Sequence, residues 1–218
     1  MNVLITYGGT KEPIDKVRYI GNISSGRTGE AIASHFISHG ATVTCLKASS
    51  VNDLPTAAKN RSYFSFDDLQ TSLLEELHQT AYDVIIHAAA VSDYRVTSVT
   101  NNQDDAVAVG GKIRSGQKLQ LILEPTPKLI SKIKDVSKNK KALLVGFKLT
   151  ESASPQERMD AVYNIFDIGA AIVVQNDLSE MSDETHPCQI FISMQNSVKT
   201  NTKKQLAETL YNLVKERL

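Results

Sequence analysis

The first 47 residues constrain the fold more than any other part of the chain. Val3-Leu4-Ile5-Thr6-Tyr7 is a short apolar run, read as a buried strand over 2–7. Residues 27–39 place Ile32 and Phe36 four apart with Ala31, Ala33 and Ile37 beside them, the spacing of a helix face, and Gly40 supplies a stop. Ala41–Lys47 (ATVTCLK) is a second apolar strand. Strand, helix and strand in this order make a βαβ unit, which crosses over right-handedly between parallel strands. The strand-to-helix connection is unusual. Such turns take about two to six residues, whereas this one runs from Gly8 to Ser25 or Gly26, where the helix opens. Parallel folds commonly hold phosphates at this turn, so the extra length implies a task beyond reversing the chain.

The same rhythm continues. Asn52–Arg61 reads as loop, and Phe66–Gln79 as an amphipathic helix with Leu69, Leu73, Leu74 and Leu77 on one face. Asp83–Ala88 is a near-continuous apolar strand of the kind buried on both faces. Small residues, Ala88-Ala89-Ala90, close it and leave room for a ligand against the backbone. Residues 96–124 break the pattern. Alternating runs at Gly111–Arg114 and Lys118–Leu123, joined by Ser115-Gly116-Gln117, predict a hairpin that could act as a flap. Thr126 and Pro127 then suit the N-cap and first turn of a helix over 128–136. Ala142–Lys148 and Ala170–Gln175 are further buried strands, separated by a helix that Ser154-Pro155 opens. Cys188–Ser193 and Ser197–Thr200 predict a closing hairpin, and residues 202–216 a last helix. The expected fold is α/β: a Rossmann-like, three-layer arrangement with a mainly parallel sheet, an inserted β-hairpin flap and a C-terminal hairpin plus helix. Residues 1–218 are read as one domain.

Composition excludes several classes. At 41% hydrophobic and 22% charged, the chain has apolar material for a packed core and too much for disorder. Lys plus Arg equals Asp plus Glu at 24 each, without the basic excess of a nucleic-acid binder. Cys45 and Cys188 lack zinc-site spacing and read as reduced, buried thiols. No apolar run reaches membrane-span length and no signal peptide opens the chain, so a cytoplasmic protein is expected.

In an open parallel sheet, ligands sit beyond the strand C-termini. Four segments converge there: Gly8–Gly29, His87–Tyr94, Val145–Lys148 and Gln175–Asp177, with the flap near Lys112 within reach. Gly8-Gly9-Thr10 and Gly26-Arg27-Thr28-Gly29 do not form a GxGxxG fingerprint, and no acid ends the second strand. Each glycine alone fits turns and helix packing; together, in a long loop at this edge, they favour phosphate binding. Ser24 and Ser25 could donate hydroxyls at the helix N-terminus. Asn22 suits an Asx turn or a grip on a carbonyl or acyl-phosphate oxygen. Arg18 is a solvated charge or a phosphate partner. Asp93 is a cap, a nucleotide contact or, less well, a metal ligand. His87 in its apolar run reads as a satisfied core histidine. Lys112 and Arg114 are ordinary hairpin charges unless the flap delivers them to a triphosphate as charge develops. No Ser/His/Asp or Cys/His constellation and no metal cluster stands out. The weak alternative is a flavin- or nucleotide-binding oxidoreductase on a similar sheet.

Five segments, GGTKEPIDKVRYIGNISSGRTG, HAAAVSDYRV, GGKIRSG with EPTPKLI, LLVGFKLTES and IVVQND, occur in the order seen in phosphopantothenoylcysteine synthetase, the phosphopantothenate–cysteine ligase of coenzyme A biosynthesis. The chain resembles this family over almost its whole length, in a stand-alone form without the flavin-dependent decarboxylase half. The resemblance implies that CTP activates the carboxylate of 4′-phosphopantothenate with loss of pyrophosphate, assisted by Mg²⁺. The amine of L-cysteine then attacks the acyl-cytidylate and CMP leaves. Asn22 matches the asparagine that steadies the intermediate, and Lys112 the flap lysine. Ala88, Ala89, Asp93, Thr126, Pro127, Lys128, Leu129 and Phe147 match nucleotide contacts, and Gly8 and Gly9 are assigned to the nucleotide beside them. Arg18, Ser24, Ser25 and Ala90 are assigned to the substrate. A homodimer built partly by the insertion, and a separate decarboxylase partner, are also implied. One departure concerns the nucleotide. Many relatives have lysines before the last parallel strand, but residues 158–167 contain none, which leaves CTP against ATP open.

Overall fold

The computed structural model describes residues 1–101, 112–113, 115–116, 118–182 and 184–218. β1 (Asn2–Gly9) is buried from Val3 to Gly9, as a strand covered on both faces must be. The long connection holds a small antiparallel pair, β2 (Lys11–Pro13) with β3 (Tyr19–Gly21). α1 (Arg27–Ser38) buries Gly29, Ile32, Ala33 and Phe36. A Cβ on Gly29 would lie 2.1 Å from the Tyr7 Cβ, so α1 can rest on β1 only because this position is glycine. β4 (Thr42–Ala48) completes the βαβ unit and pairs parallel with β1.

The next segment departs from expectation. Lys59–Tyr63, placed largely in loop, is a strand, β5, pairing parallel with β4 at the sheet edge. Its sequence KNRSY has no apolar period, because at an edge the backbone supplies the pairing and only Tyr63 is buried. The Tyr63 hydroxyl donates to the carbonyls of Tyr7 and Gly8, which ties this edge back to the centre. α2 (Phe66–Gln79) follows with a Ser65–Asp68 capping box, and β6 (Val84–Ala90) pairs with β1 on the side away from β4.

The insertion is also built differently. Its arms are β7 (Tyr94–Thr100) and β8 (Gln120–Pro125), antiparallel with an irregularity between Val96 and Ser98. Of the expected arm at Gly111–Arg114, Lys112 and Ile113 lie outside any strand, and Gly111 and Arg114 lie outside the described residues. The mixed polar pattern of Tyr94–Thr100 hid a strand whose partner is an exposed ribbon rather than a core. Thr126 does not cap α3 (Ile130–Val136), whose N-cap is Leu129. Instead its hydroxyl donates to the Ser92 carbonyl at 2.6 Å and its N–H to the Asp93 carbonyl at 2.9 Å, closing the base of the ribbon.

β9 (Leu143–Thr150), α4 (Pro155–Asp167), β10 (Ile172–Asp177), β11 (Cys188–Phe191), β12 (Ser197–Thr200) and α5 (Lys203–Lys215) complete the chain. The eight-stranded sheet runs β12-β11-β10-β9-β6-β1-β4-β5, parallel from β10 to β5, with antiparallel pairs β10–β11 and β11–β12. Helices cover both sides, with α1 packed on α5 and α2 on α3. This is the expected Rossmann-like α/β fold. From β1 the chain first builds outward through β4 and then returns to β6, so the strand order reverses between β1 and β6, where such sheets open a crevice.

Candidate active site

A half-open cavity of about 1260 Å³ lies at that reversal, beyond the C-terminal ends of β1, β6, β9 and β10. Its first wall is the loop after β3. Asn22 donates from Nδ2 to the carbonyls of Ala90, at 3.3 Å, and Val91, at 3.0 Å. The start of the loop is stitched to the same strand end: Thr10 N–H donates to the Ala90 carbonyl, and the Thr10 hydroxyl exchanges hydrogen bonds with Ser92. Gly9 permits this closeness, since a Cβ there would stand 2.6 Å from the Asn22 carbonyl oxygen. Glu12 is buried and accepts the Phe66 N–H, fixing the loop to α2.

The loop delivers the N-terminus of α1 to the cavity. Gly26 is the N-cap, at φ 75°, with no side-chain cap. The first turn of α1 borders the cavity at Gly26, Arg27, Thr28 and Gly29, beside Ser24 and Ser25, with only a long 3.5 Å contact from the Arg27 N–H to Ser25 Oγ, and a helix start of this kind attracts anions. Ser25 Oγ accepts from Arg27 Nε at 3.2 Å. At the strand end, Ala88, Ala89 and Ala90 present backbone with little side chain. His87 lines the floor but behaves as a core residue. Its Nδ1 shares a 2.8 Å hydrogen bond with the Thr6 hydroxyl, and burial pushes its pKa down to about 4. Asp93 and Lys128 form an exposed ion pair at the rim. Thr126, Pro127, Leu129 and Phe147 line the cavity beside them.

Of the expected site residues, Asn22, Ser24, Ser25, Ala88, Ala89, Ala90, Asp93, Thr126, Pro127, Lys128, Leu129 and Phe147 border this one cavity. Gly8, Gly9, Arg18 and Lys112 do not. Gly8, at φ 92°, packs on Ala48, and the Arg18 guanidinium reaches the Ile113 carbonyl. Asp177, within one of the converging segments, is buried beneath the site. It accepts from Thr150, Ser179 and the N–H groups of Ser152 and Ala153, and it pairs with Arg158. The Ser179 and Thr150 hydroxyls and these N–H groups hold its pKa far below the usual carboxylate range. Among the described residues no group of three or more His, Cys, Asp and Glu could hold a metal ion.

Residues 1–218 match the family described as the DNA/pantothenate metabolism flavoprotein C-terminal domain. The chain belongs to that family. The coenzyme A biosynthesis bifunctional protein CoaBC of Thermococcus kodakarensis is 36% identical over 219 residues, which cover 99% of this chain and 51% of that protein. CoaBC of Methanocaldococcus jannaschii is 29% identical over 217 residues, covering 98% and 50%. The chain thus spans about half the length of the curated relatives it matches. Among solved structures, the DNA/pantothenate metabolism flavoprotein from Streptococcus pneumoniae superposes with a TM-score of 0.86 at 26% identity, over 100% of both chains. The C-terminal domain of a CoaBC protein, at 24% identity and a TM-score of 0.76, shares the fold.

In this flavoprotein C-terminal domain, the far wall of the cavity is expected from the sequence only as segments, Gln175–Asp177 and the stretch 158–167, and not residue by residue. One face of α4 contributes Glu157, Asp160, Ala161 and Asn164, at the three- and four-residue steps of a single helical face. Beyond it stand Asn176, Met181, Ser182, His186 and Lys203. His186 Nε2 lies 3.3 Å from the Thr28 hydroxyl. Burial first, and then the nearby Lys203 charge, push its pKa down to about 4. His186 sits in a polar loop, where only the tertiary fold brings it to α1. The α4 face could have been read by asking which side of that helix is polar.

Proposed function

We propose that this chain joins 4′-phosphopantothenate to L-cysteine in coenzyme A biosynthesis, consuming CTP and releasing CMP and pyrophosphate. Family membership supports the reaction class, and the observation that carries the site is the placement of Asn22. The asparagine is tethered to the alanine-rich end of β6 and borders the same cavity as the uncapped N-terminus of α1. That juxtaposition puts an amide and an anion-binding helix end within one compartment, as a substrate with a carboxylate at one end and a phosphate at the other requires.

The chemistry balances in two steps. A carboxylate oxygen attacks the α-phosphorus of CTP, the bond to the β,γ-pyrophosphate breaks, and an acyl-cytidylate remains. The amine of cysteine then attacks the acyl carbon, the bond to CMP breaks, and the amide forms with loss of a proton. Ser24, Ser25 and the first turn of α1 bind phosphate oxygens. Ala88, Ala89 and Ala90 let the nucleotide lie against backbone, between Asp93, Lys128 and Phe147. Asn22 orients the acyl group. Lys112 supplies positive charge as the triphosphate breaks. Mg²⁺ that arrives with the nucleotide needs only one or two protein carboxylates. Asp93, Glu157 and Asp160 border the cavity and fit that demand, and the ion would neutralise phosphate charge.

Pyrophosphate release that requires both CTP and phosphopantothenate is the expected result. Lys112→Ala should slow that release by about a hundredfold. Asn22→Asp should let intermediate form but slow CMP formation on addition of cysteine. If neither substitution slowed turnover, the site assignment would be wrong. One observation bears on the choice of nucleotide. The α4 face bordering the cavity carries Glu157, Asp160 and Asn164 and no lysine, so the α4 wall offers no cation to the phosphates. AMP formed from ATP faster than CMP from CTP would select that reading. An as-purified absorbance spectrum with a flavin band would instead revive an oxidoreductase.

The proposal extends to partners and place. A homodimer, cooperation with a phosphopantothenoylcysteine decarboxylase and a cytoplasmic setting accompany it. The relatives' designation as bifunctional proteins supports the second. Among the described residues no helix is long and apolar enough to cross a membrane.

A further inference from the structure

The loop that carries Asn22 also grips the chain next to Lys112. Residues 14–18 close a turn between β2 and β3, with the N–H groups of Ile14 and Asp15 donating to the Arg18 carbonyl. The Asp15 carboxylate inside that turn is fully buried. Its Oδ1 accepts the N–H groups of Val17 and Arg18, each at 2.8 Å. Its Oδ2 accepts Arg18 Nε at 3.0 Å and, from the inserted segment, the N–H of Ile113 at 3.1 Å. Arg18 completes the contact by donating from Nη2 to the Ile113 carbonyl at 2.6 Å. Two side chains thus engage both backbone groups of one residue 95 and 98 positions away. This is what a neighbouring strand would do, accomplished without a strand. The Ile113 side chain is itself buried, at 3% exposure, beside an exposed Lys112.

The arrangement is costly unless it serves position. A buried carboxylate is tolerated because its acceptor capacity is filled: burial alone would raise its pKa, and the Val17, Ile113 and Arg18 donors outweigh that and hold it at about 2. Successive Cα atoms are about 3.8 Å apart, so fixing residue 113 fixes the root of the Lys112 side chain. The same loop, one short strand later, ends in Asn22. We propose that Asp15 and Arg18 form a positioning clamp, which sets Lys112 in a defined relation to Asn22 by holding the backbone of residue 113. The proposal rests on the ligase reading, in which Lys112 acts on the nucleotide. It assigns Arg18 to the chain itself rather than to the substrate.

Hydrogen exchange tests the clamp without any ligand. The peptide containing Ile113 should exchange at least about tenfold faster in Asp15→Asn and in Arg18→Ala than in the parent, with the peptides of β1 and β6 unchanged. Arg18→Lys separates the two roles of this residue. It keeps the charge but loses the planar fork, so it should release Ile113 as Arg18→Ala does. A lysine variant with parental exchange and parental turnover would overturn the clamp in favour of a simple charge. In the presence of substrates, Asp15→Asn should lower the maximal rate of pyrophosphate release by about a hundredfold, the scale of an ångström-sized misplacement, with little change in the KM for phosphopantothenate. In a Lys112→Ala background, Asp15→Asn should cost almost nothing further, because both act through one group. Additive losses, or unchanged exchange at Ile113, would overturn the proposal. If Lys112→Ala alone ran at the parental rate, the ligase reading of Lys112 would fall while faster exchange at Ile113 still established the grip.

Discussion

Asn22 and His87 occupy neighbouring parts of the cavity and are constrained in different ways. Asn22 is legible in the sequence as a loop amide, yet its partners lie 68 and 69 residues away, and no local pattern links them. His87 is legible as a core histidine because it interrupts an apolar run, and the structure gives it the Thr6 hydroxyl as a partner. Its pH behaviour follows. Unfolded, it titrates near 6.5; folded, burial holds it at about 4. Between those values the unfolded chain binds a proton that the folded chain refuses. The stability contribution is therefore intact above pH 6.5 and declines as pH falls towards 4, by roughly 3 kcal/mol in total. Asp15 and Asp177, whose folded pKa values are depressed, lose their contributions only below the unfolded carboxylate value of 3.8, outside this window. Urea midpoints measured at several pH values should show the decline. His87→Asn, which keeps a polar group near Nδ1 and removes the titration, should remove the His87 share of it, about half or less. His186, with the same sign and a similar folded value, should carry a comparable share, and His35, whose pKa burial also lowers, adds to the slope in the same direction.

At the level of elements, the strands buried on both faces and the amphipathic helices could be read directly, because burial on two faces or one stripe leaves a compositional record. β5 and β7 could not. KNRSY and YRVTSVT are held mainly by backbone pairing at an edge and in an exposed ribbon, and each fully buries a single side chain, Tyr63 and Val99. The far wall of the cavity leaves a fainter record for a related reason: α4 buries fully only Val162, so its cavity side has to be read from the spacing of polar residues rather than from an apolar stripe. That same shallow packing makes its cap matter. Ser154 accepts the Glu157 N–H and Glu157 returns to the Ser154 N–H, a reciprocal box at the turn that presents Glu157 and Asp160 to the cavity. Ser154→Ala should cost about 1 kcal/mol. A shift of the denaturation midpoint with an unchanged m-value is the expected signature. Faster hydrogen exchange confined to the first turn of α4 would locate the loss there.

The whole molecule carries one surface that its internal architecture does not explain. Val17 in the turn between β2 and β3, Tyr19 and Ile20 on β3, and Tyr94, Ile122 and Leu123 on the β7–β8 ribbon are each at least 40% exposed. β2 and β7 touch, so these exposed apolar side chains lie on two adjoining small sheets beside the central one. A concentration of exposed apolar side chains outside the core suits an interaction site, and the homodimer proposed above gives it a use. Zero net charge removes a long-range repulsion that would oppose self-association. Light scattering should therefore return twice 23.9 kDa. Ile122→Asp places a charge in the middle of one arm without touching the core, and it should return 23.9 kDa at the same concentration with an unchanged far-ultraviolet spectrum. The consequence should reach the site. β7 and β8 are the two ends of the segment bearing Lys112, and the clamp turn lies between β2 and β3, so both halves of the clamp are rooted in the proposed interface. A monomeric variant should exchange faster at Ile113 and release pyrophosphate more slowly. A dimeric mass that survives Ile122→Asp combined with Tyr19→Asp would place the interface on another face and separate assembly from the clamp.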